Sequence, residues 1–399
     1  MATSFSYADA VHLLRRAAAR GRRAEAEQLV EMGLEAAVEH LLQDPAPAPL
    51  YQTAASRNQR AQQHREITQL WLQHWLTTPT PAAERLVLFW HGHLTSEFRE
   101  TMGAQGIDFW NQFATFRRLG YGPYGELLAA IAQDPVMLLY LNNAESRKEH
   151  PNQNWARELL ELYTLGPGHY SEEDILEAAR AFTGWTVRLR GGLRPREASA
   201  NVPFEFVFRP AWHDSGPKNF LGKRVHRGEE VLEILAAHPQ TYRFLGRKLL
   251  RFYLSPDPPE GLVEEGAKVL KTEGTRGFLH WLFTHEAFYR PTHRNSLIKS
   301  PIEYLVGLWY AAGISQVDLE TPGGRQAYQA LAAMGQIPFD PPSVAGWEGG
   351  LGWLAESPFL ARLNLLAAFV GRESRLDLSV FMDGGHTPLA LVKPEAQLL

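Results

Sequence analysis

The 399-residue chain has no cysteine, which removes disulfides, thiolate zinc sites, iron–sulfur clusters and a cysteine nucleophile from consideration. Any bound metal must then be held by histidine, carboxylate, amide or backbone oxygen. An excess of charge of one sign is missing too: 40 Lys and Arg against 44 Asp and Glu leave a formal charge of -4. No overall basic field is available to hold a phosphate backbone, so nucleic acid is not an expected partner. The apolar runs, such as residues 86–90, fall far short of the roughly 18 residues that suggest a membrane span. No basic, apolar, small-residue leader opens the sequence, and Arg15 and Arg16 interrupt the first apolar stretch. The chain as given therefore reads as soluble and cytoplasmic, with no transmembrane segment. Several fingerprints are also missing: a Walker A loop, a dinucleotide loop after a strand, a Gly-x-Ser-x-Gly elbow and a His-Glu-x-x-His helix. ATP, NAD, serine-hydrolase and conventional zincin chemistry lose their usual support.

What is present is mostly helical spacing. Leu34, Ala37, Val38, Leu41 and Leu42 recur at helical intervals, and Gly33 stops the segment before them, so three short helices open the chain. A longer helix is predicted over about 57–76, broken by Pro79 and Pro81. Further helices are predicted near 107–118, 124–132, 135–141 and 152–165. Ser171 and Asp174 read as a capping box, with Tyr170 against Ile175 as its staple. Between about 185 and 226 the period changes to two. Val187 and Leu189 alternate with Arg188 and Arg190, Gly191 and Gly192 offer a turn, and Phe204, Phe206 and Phe208 line one face of a second run. Helical spacing returns over 229–237, 242–253, 277–287, 301–312, 326–334 and 358–370. The expectation is a mainly α protein, one helical domain over 1–399 with a small antiparallel β insertion and a loose tail over 372–399.

Three constellations carry chemistry. His91 and His93 follow the apolar run Leu86, Val87, Leu88, Phe89; on a continuous helix residues two apart point about 200° from each other, but Gly92 offers a way to end the helix and turn both rings to one place. Imidazole serves as a metal ligand or general base, or simply caps carbonyls in a core. In the second, winding 152–163 at 100° per residue gathers Asn154, Arg157, Glu158 and Glu161 on one arc and Trp155, Ala156, Leu159, Leu160, Leu162 and Tyr163 on the other. The paired carboxylates suit a divalent cation or acid–base work, while the same wheel describes an ordinary amphipathic helix. The third is His213, Asp214 and Lys218 on a loop marked by Gly216 and Pro217, which suits a binding element or a turn whose aspartate accepts backbone N–H groups. Asp340, Pro341, Pro342 and Ser343 with Gly346 and Trp347 form a rigid loop that reads as structural.

Taken in order, the segments beginning His12-Leu13-Leu14-Arg15-Arg16-Ala17 and Phe89-Trp90-His91-Gly92-His93 resemble a bacterial family known as domain of unknown function 1800. The likeness continues through Asn152 to Leu162, Thr164-Leu165-Gly166, Thr183-Gly184-Trp185, His213-Asp214 with Lys218, and Pro341 to Trp347, and so spans nearly the whole chain. The resemblance implies a largely helical protein without an established activity. It also implies relatives that are often exported and that are encoded beside a sulfatase-like family, a possible partner. This sequence departs by its missing leader, by Ala18 and Ala19 where Gly-Phe-Gly is usual, and by Tyr163 where histidine is frequent.

Together these readings lead to an expected metal-dependent enzyme, a hydrolase rather than an oxidoreductase. Its ligands would be drawn from His91, His93, Glu158, Glu161, His213 and Asp214, with Zn, Mn or Fe favoured over Ca or Mg. Glu158, Arg157 and Lys218 would act on a polymer or small anionic substrate. The other expectation is a non-catalytic glycan- or protein-binding scaffold in which the same polar residues form a buried network.

Overall fold

The computed structural model describes residues 5–370. Among these the chain forms sixteen α-helices and two small antiparallel sheets, the mainly α architecture that the periodicity predicts. The segment 372–399, read as a loose tail, lies outside the described residues. The opening helices are α1 (Tyr7–Ala17), α2 (Arg23–Met32) and α3 (Leu34–Leu41); Gly33, at φ 78°, both ends α2 and starts α3. Next come α4 (Arg60–Thr77) and α5 (Pro81–His93), with Pro81 in the first turn, where its missing N–H costs nothing. They are followed by α6 (Gly106–Leu119), α7 (Tyr124–Ala132), α8 (Pro135–Tyr140), α9 (Gln153–Glu158) and α10 (Glu172–Ala181). The backbone does not stop at Glu158 but continues as a π-helical turn over Leu159–Thr164. The capping box forms at α10: Ser171 Oγ accepts from the Asp174 N–H at 3.1 Å, and Asp174 accepts from the Ser171 N–H at 2.8 Å.

The insertion consists of two ribbons rather than one sheet. Strand β1 (Trp185–Leu189) pairs antiparallel with β2 (Phe204–Phe208), Trp185 opposite Phe208 and Leu189 opposite Phe204; β3 (Lys218–Phe220) pairs with β4 (Lys223–Val225). Carboxylates tie both ribbons to helices. Asn219 and Leu221 donate their backbone N–H groups to Glu177 at 2.9 Å and Asp174 at 2.8 Å, on α10. Phe204 donates its N–H to Asp108 at 2.7 Å, whose other oxygen caps α6 by accepting from Gln105 N–H at 2.7 Å. The remaining helices are α11 (Gly228–Ala237), α12 (Pro239–Tyr253), α13 (Glu260–Thr284), α14 (Pro301–Ala311), α15 (Pro322–Ala333) and α16 (Glu356–Val370). Helix α13 starts earlier than the spacing read from residue 277 suggests. Gly274, at φ 69°, kinks it, so that reading catches only the arm after the kink.

Helix α5 runs through the core. Every residue from Ala82 to His91 is buried, as befits a helix apolar on all sides. Its two charged residues are matched. Glu84 accepts from Trp71 Nε1 at 2.8 Å and from Arg117 Nε and Nη2 at 2.7 and 2.8 Å. Burial alone would raise this carboxyl; Arg117, with His74, outweighs burial and holds it at about 2. Arg85 pairs with Glu303 at 2.6 Å and donates to the carbonyls of Arg16 and Phe252, near the negative C-terminal ends of α1 and α12.

Candidate functional site

Helix α9 starts on Asn152, whose side chain accepts from the Asn154 N–H at 2.8 Å. In the π turn that follows, Leu165 N–H reaches Leu160 C=O at 2.9 Å, five residues back instead of four. The carbonyls left at its end find side-chain donors: Lys248 to Leu162 at 3.3 Å, Tyr124 to Tyr163 at 2.6 Å and Gln240 to Leu165 at 2.9 Å. Trp155, Ala156, Leu159, Leu160 and Tyr163 are buried as the wheel predicts, and the polar arc lies on the open side.

The members of that arc are not equivalent. Arg157 makes a two-pronged pair with Glu172, at 2.9 and 2.7 Å, and leaves its neighbouring glutamates alone. Glu161 accepts from the Tyr170 hydroxyl at 2.9 Å. Glu158 is half-buried, and among the described residues it has no hydrogen bond or ion pair. Burial, then Glu161, pushes its carboxyl above the usual range, and Arg157 only partly offsets them. Burial, then Glu97 and Glu100 from the segment after α5 and Glu158, pushes up the hydroxyl of Tyr140, at the end of α8. Glu97 resembles Glu158: it is half-buried, its carboxyl has no partner among the described residues, and burial, then Asp340 and Glu100, raises it. Asp340 pairs with Arg99 at 2.8 Å, yet its Oδ1 is buried without a partner, and burial raises it as well. Two unpaired, half-buried carboxyls, Glu158 on α9 and Glu97 on the segment after α5, therefore lie near Tyr140 at the end of α8.

The histidines lie elsewhere. Gly92 does not end α5, which runs through His93, so the two rings diverge. His91 packs among Trp71, Phe113, Phe339 and Trp347, and His93 among Phe89, Trp90, Tyr124 and Tyr163. His91 Nε2 accepts from the Phe339 N–H at 3.0 Å. Burial, then His64, holds this ring neutral down to about 3. Tyr124 gives its own proton to Tyr163 C=O, so His93 Nε2 must be the donor in their 3.1 Å contact; burial, then Lys248, keeps the ring far below its ordinary value.

The third constellation is a closed network. His213 Nδ1 donates to Thr183 C=O at 2.9 Å. Asp214 accepts from Arg180 at 2.8 Å and from the Gly216 N–H at 2.9 Å; burial pushes its carboxyl up, but Arg180 and that N–H prevail and lower it. Lys218 is buried, with its ammonium on the carbonyls of Asp214 and, at 2.7 Å, His226. The two polar clusters meet opposite ends of α10. Glu172 and Arg180 are eight residues apart, about 12 Å at 1.5 Å per residue.

The expected metal set therefore does not fit an ion. Among the described residues no group of three or more His, Asp or Glu side chains stands together as a metal requires. Lys218, expected to face a substrate, instead ties a loop together, and Arg157 serves Glu172.

Residues 12–398 match the model of a family described as protein of unknown function, DUF1800. The chain belongs to the DUF1800 family. No curated protein and no solved structure matches it. In this DUF1800 protein no helix among the described residues is long and apolar enough to cross a membrane. Sequence reasoning passed over Tyr140 and Glu97, whose charge acts with that of Glu158 on the Tyr140 hydroxyl. Neither sits in a motif, and only the fold brings them to Glu158.

Proposed function

We propose that the protein is a hydrolase working by general acid–base catalysis, with Glu158 as the acid and Glu97, which like Glu158 acts on Tyr140, as its counterpart. The observation that carries this reading is the state of Glu158, half-buried, unpaired among the described residues and raised by burial. A carboxyl that holds its proton more tightly than usual can give it to a leaving group, and a second carboxyl that has lost its proton can activate water. Carboxyls perturbed by burial and left unpaired are found at functional sites more than elsewhere. A π turn directly after Glu158 adds support, since these turns gather at functional sites. Arg157 orients Glu172 and thereby α10, so it positions rather than reacts.

The scaffold reading keeps one half of its ground. Asp214 ties the β insertion to Arg180 on α10, His213 ties it to Thr183 just beyond, and Lys218 fastens the loop to itself, whereas the Glu158 and Glu97 carboxyls have no partner among the described residues.

Reducing-end release from a panel of neutral and acidic polysaccharides tests the proposal. The Glu158→Gln variant is expected to lose at least about 100-fold in rate, the usual range for removing a positioned proton donor. Undiminished turnover in that variant overturns it.

A further inference from the structure

We propose that Arg147, Arg209 and Trp212 form a platform for the acidic groups, sulfate esters or carboxylates, of a polysaccharide. The platform stands whether or not Glu158 is catalytic. It is assembled by one backbone bond. Trp212 ends a short turn after β2, and its carbonyl accepts from the Lys148 N–H at 2.7 Å, which draws the loop before α9 against the β insertion. The Arg147 guanidinium then lies over the Trp212 ring, 3.9 Å from its centroid, and that of Arg209 lies 4.5 Å from the same centroid.

Nearby arginines are used up in ion pairs: Arg157 with Glu172, Arg180 with Asp214, Arg188 with Glu205. Arg147 and Arg209 are exposed, and neither has a carboxylate or hydrogen-bond acceptor for its guanidinium among the described residues. Their only described side-chain contact is the indole. A guanidinium stacked on an indole keeps the in-plane N–H donors at its edge, and stacking restricts the long side chain before any ligand arrives. That fork matches the paired oxygens of a carboxylate or sulfate. Lys148 and His150 are exposed on the same loop, and Glu149 approaches Lys148 only at 4.0 Å. This positive surface runs against the formal charge of -4 for the whole chain, so it is a local feature and not the general field of the protein.

The same surroundings select the kind of chain that carries the acid. The indole is already taken by guanidinium, which leaves no free aromatic face here for a nucleic-acid base. No large exposed apolar side chain occurs at 147–150 or 209–217, whereas a peptide partner would need an apolar anchor. A hydroxyl-rich polymer needs none.

The test is affinity electrophoresis and calorimetry of the full chain with dextran sulfate, with polygalacturonate and with unmodified dextran. Binding to one or both acidic polymers but not to dextran is expected, and the two arms separate sulfate from carboxylate. The double variant Arg147→Ala, Arg209→Ala should raise Kd at least tenfold with an unchanged circular dichroism spectrum. Arg118→Ala, which removes an exposed charge from α6, should leave Kd within twofold. Equal weakening by Arg118→Ala, no weakening by the double variant, no binding to either acidic polymer, or tighter binding of single-stranded DNA or poly-glutamate overturns the proposal.

Discussion

The loop of His213, Asp214 and Lys218 and the cluster of Glu158, Glu97 and Tyr140 are both polar and stand in opposite states. In the loop each of the three has a described partner, and the partners are mostly backbone or a single counter-charge. In the cluster the carboxyls are half-buried and unmatched, and nearby acids, Glu161 for Glu158 and Asp340 with Glu100 for Glu97, add to the effect of burial. Polar groups that have been satisfied rigidify a fold, while groups left unsatisfied at a cost are retained for another reason. Residue type alone does not separate the two cases, and the location of each proton and each acceptor does.

The contrast is broken most severely through Lys218. Lys218→Met keeps its bulk but leaves the carbonyls of Asp214 and His226 without their donor, and should cost about 3 kcal/mol in urea unfolding. A loss below about 0.5 kcal/mol would mean that the loop is not the structural tie described above. Asp214→Asn weakens a charge-assisted pair and should cost about 1.5 kcal/mol at pH 7. Because the folded chain lowers this carboxyl, its contribution is present above the unfolded pKa and fades as pH falls through the folded one. The difference between Asp214→Asn and the wild type should therefore shrink in acid.

The Glu158 carboxyl should behave in the reverse sense, with the smallest effect of the three. The folded chain holds the Glu158 proton more tightly than the unfolded chain does, so stability falls as pH rises from the ordinary glutamate pKa through the raised one. Glu158→Gln has no proton to lose. Thermal unfolding should find it more stable than the wild type at pH 7, by about 0.5 kcal/mol since solvent still reaches the group, and equal below about pH 4. A variant that is less stable at pH 7 would place Glu158 with the loop rather than against it.

Much of the fold was legible in residue spacing. The Ser171 and Asp174 box, the stop at Gly33 and the change of period near Trp185 all appear where expected, because each depends on local backbone chemistry. The site was legible only in part. Glu158 and Glu161 were visible as a shared helix face, but their different fates depend on Tyr170, Arg157 and burial by distant segments. Glu97 and Tyr140 carry no local signal. His91 and His93 misled for a physical reason: Gly92 is compatible with a helix end, yet the buried surroundings of α5 favour continuing the helix through His93.

The π turn after Glu158 has a consequence for comparing this chain with its relatives. A turn closed five residues back holds one residue more than an α-helical turn, so the stretch from Leu159 to Thr164 behaves as a helix with a single insertion. Removing one residue there would restore the common repeat and narrow the turn, replacing the side chains that it presents, while Glu158, upstream, would keep its direction. Two family members that differ in length by one at this point would thus share the acid but present different neighbours to it. In an alignment, a one-residue gap within this stretch would be a change in the surroundings of Glu158 rather than background variation.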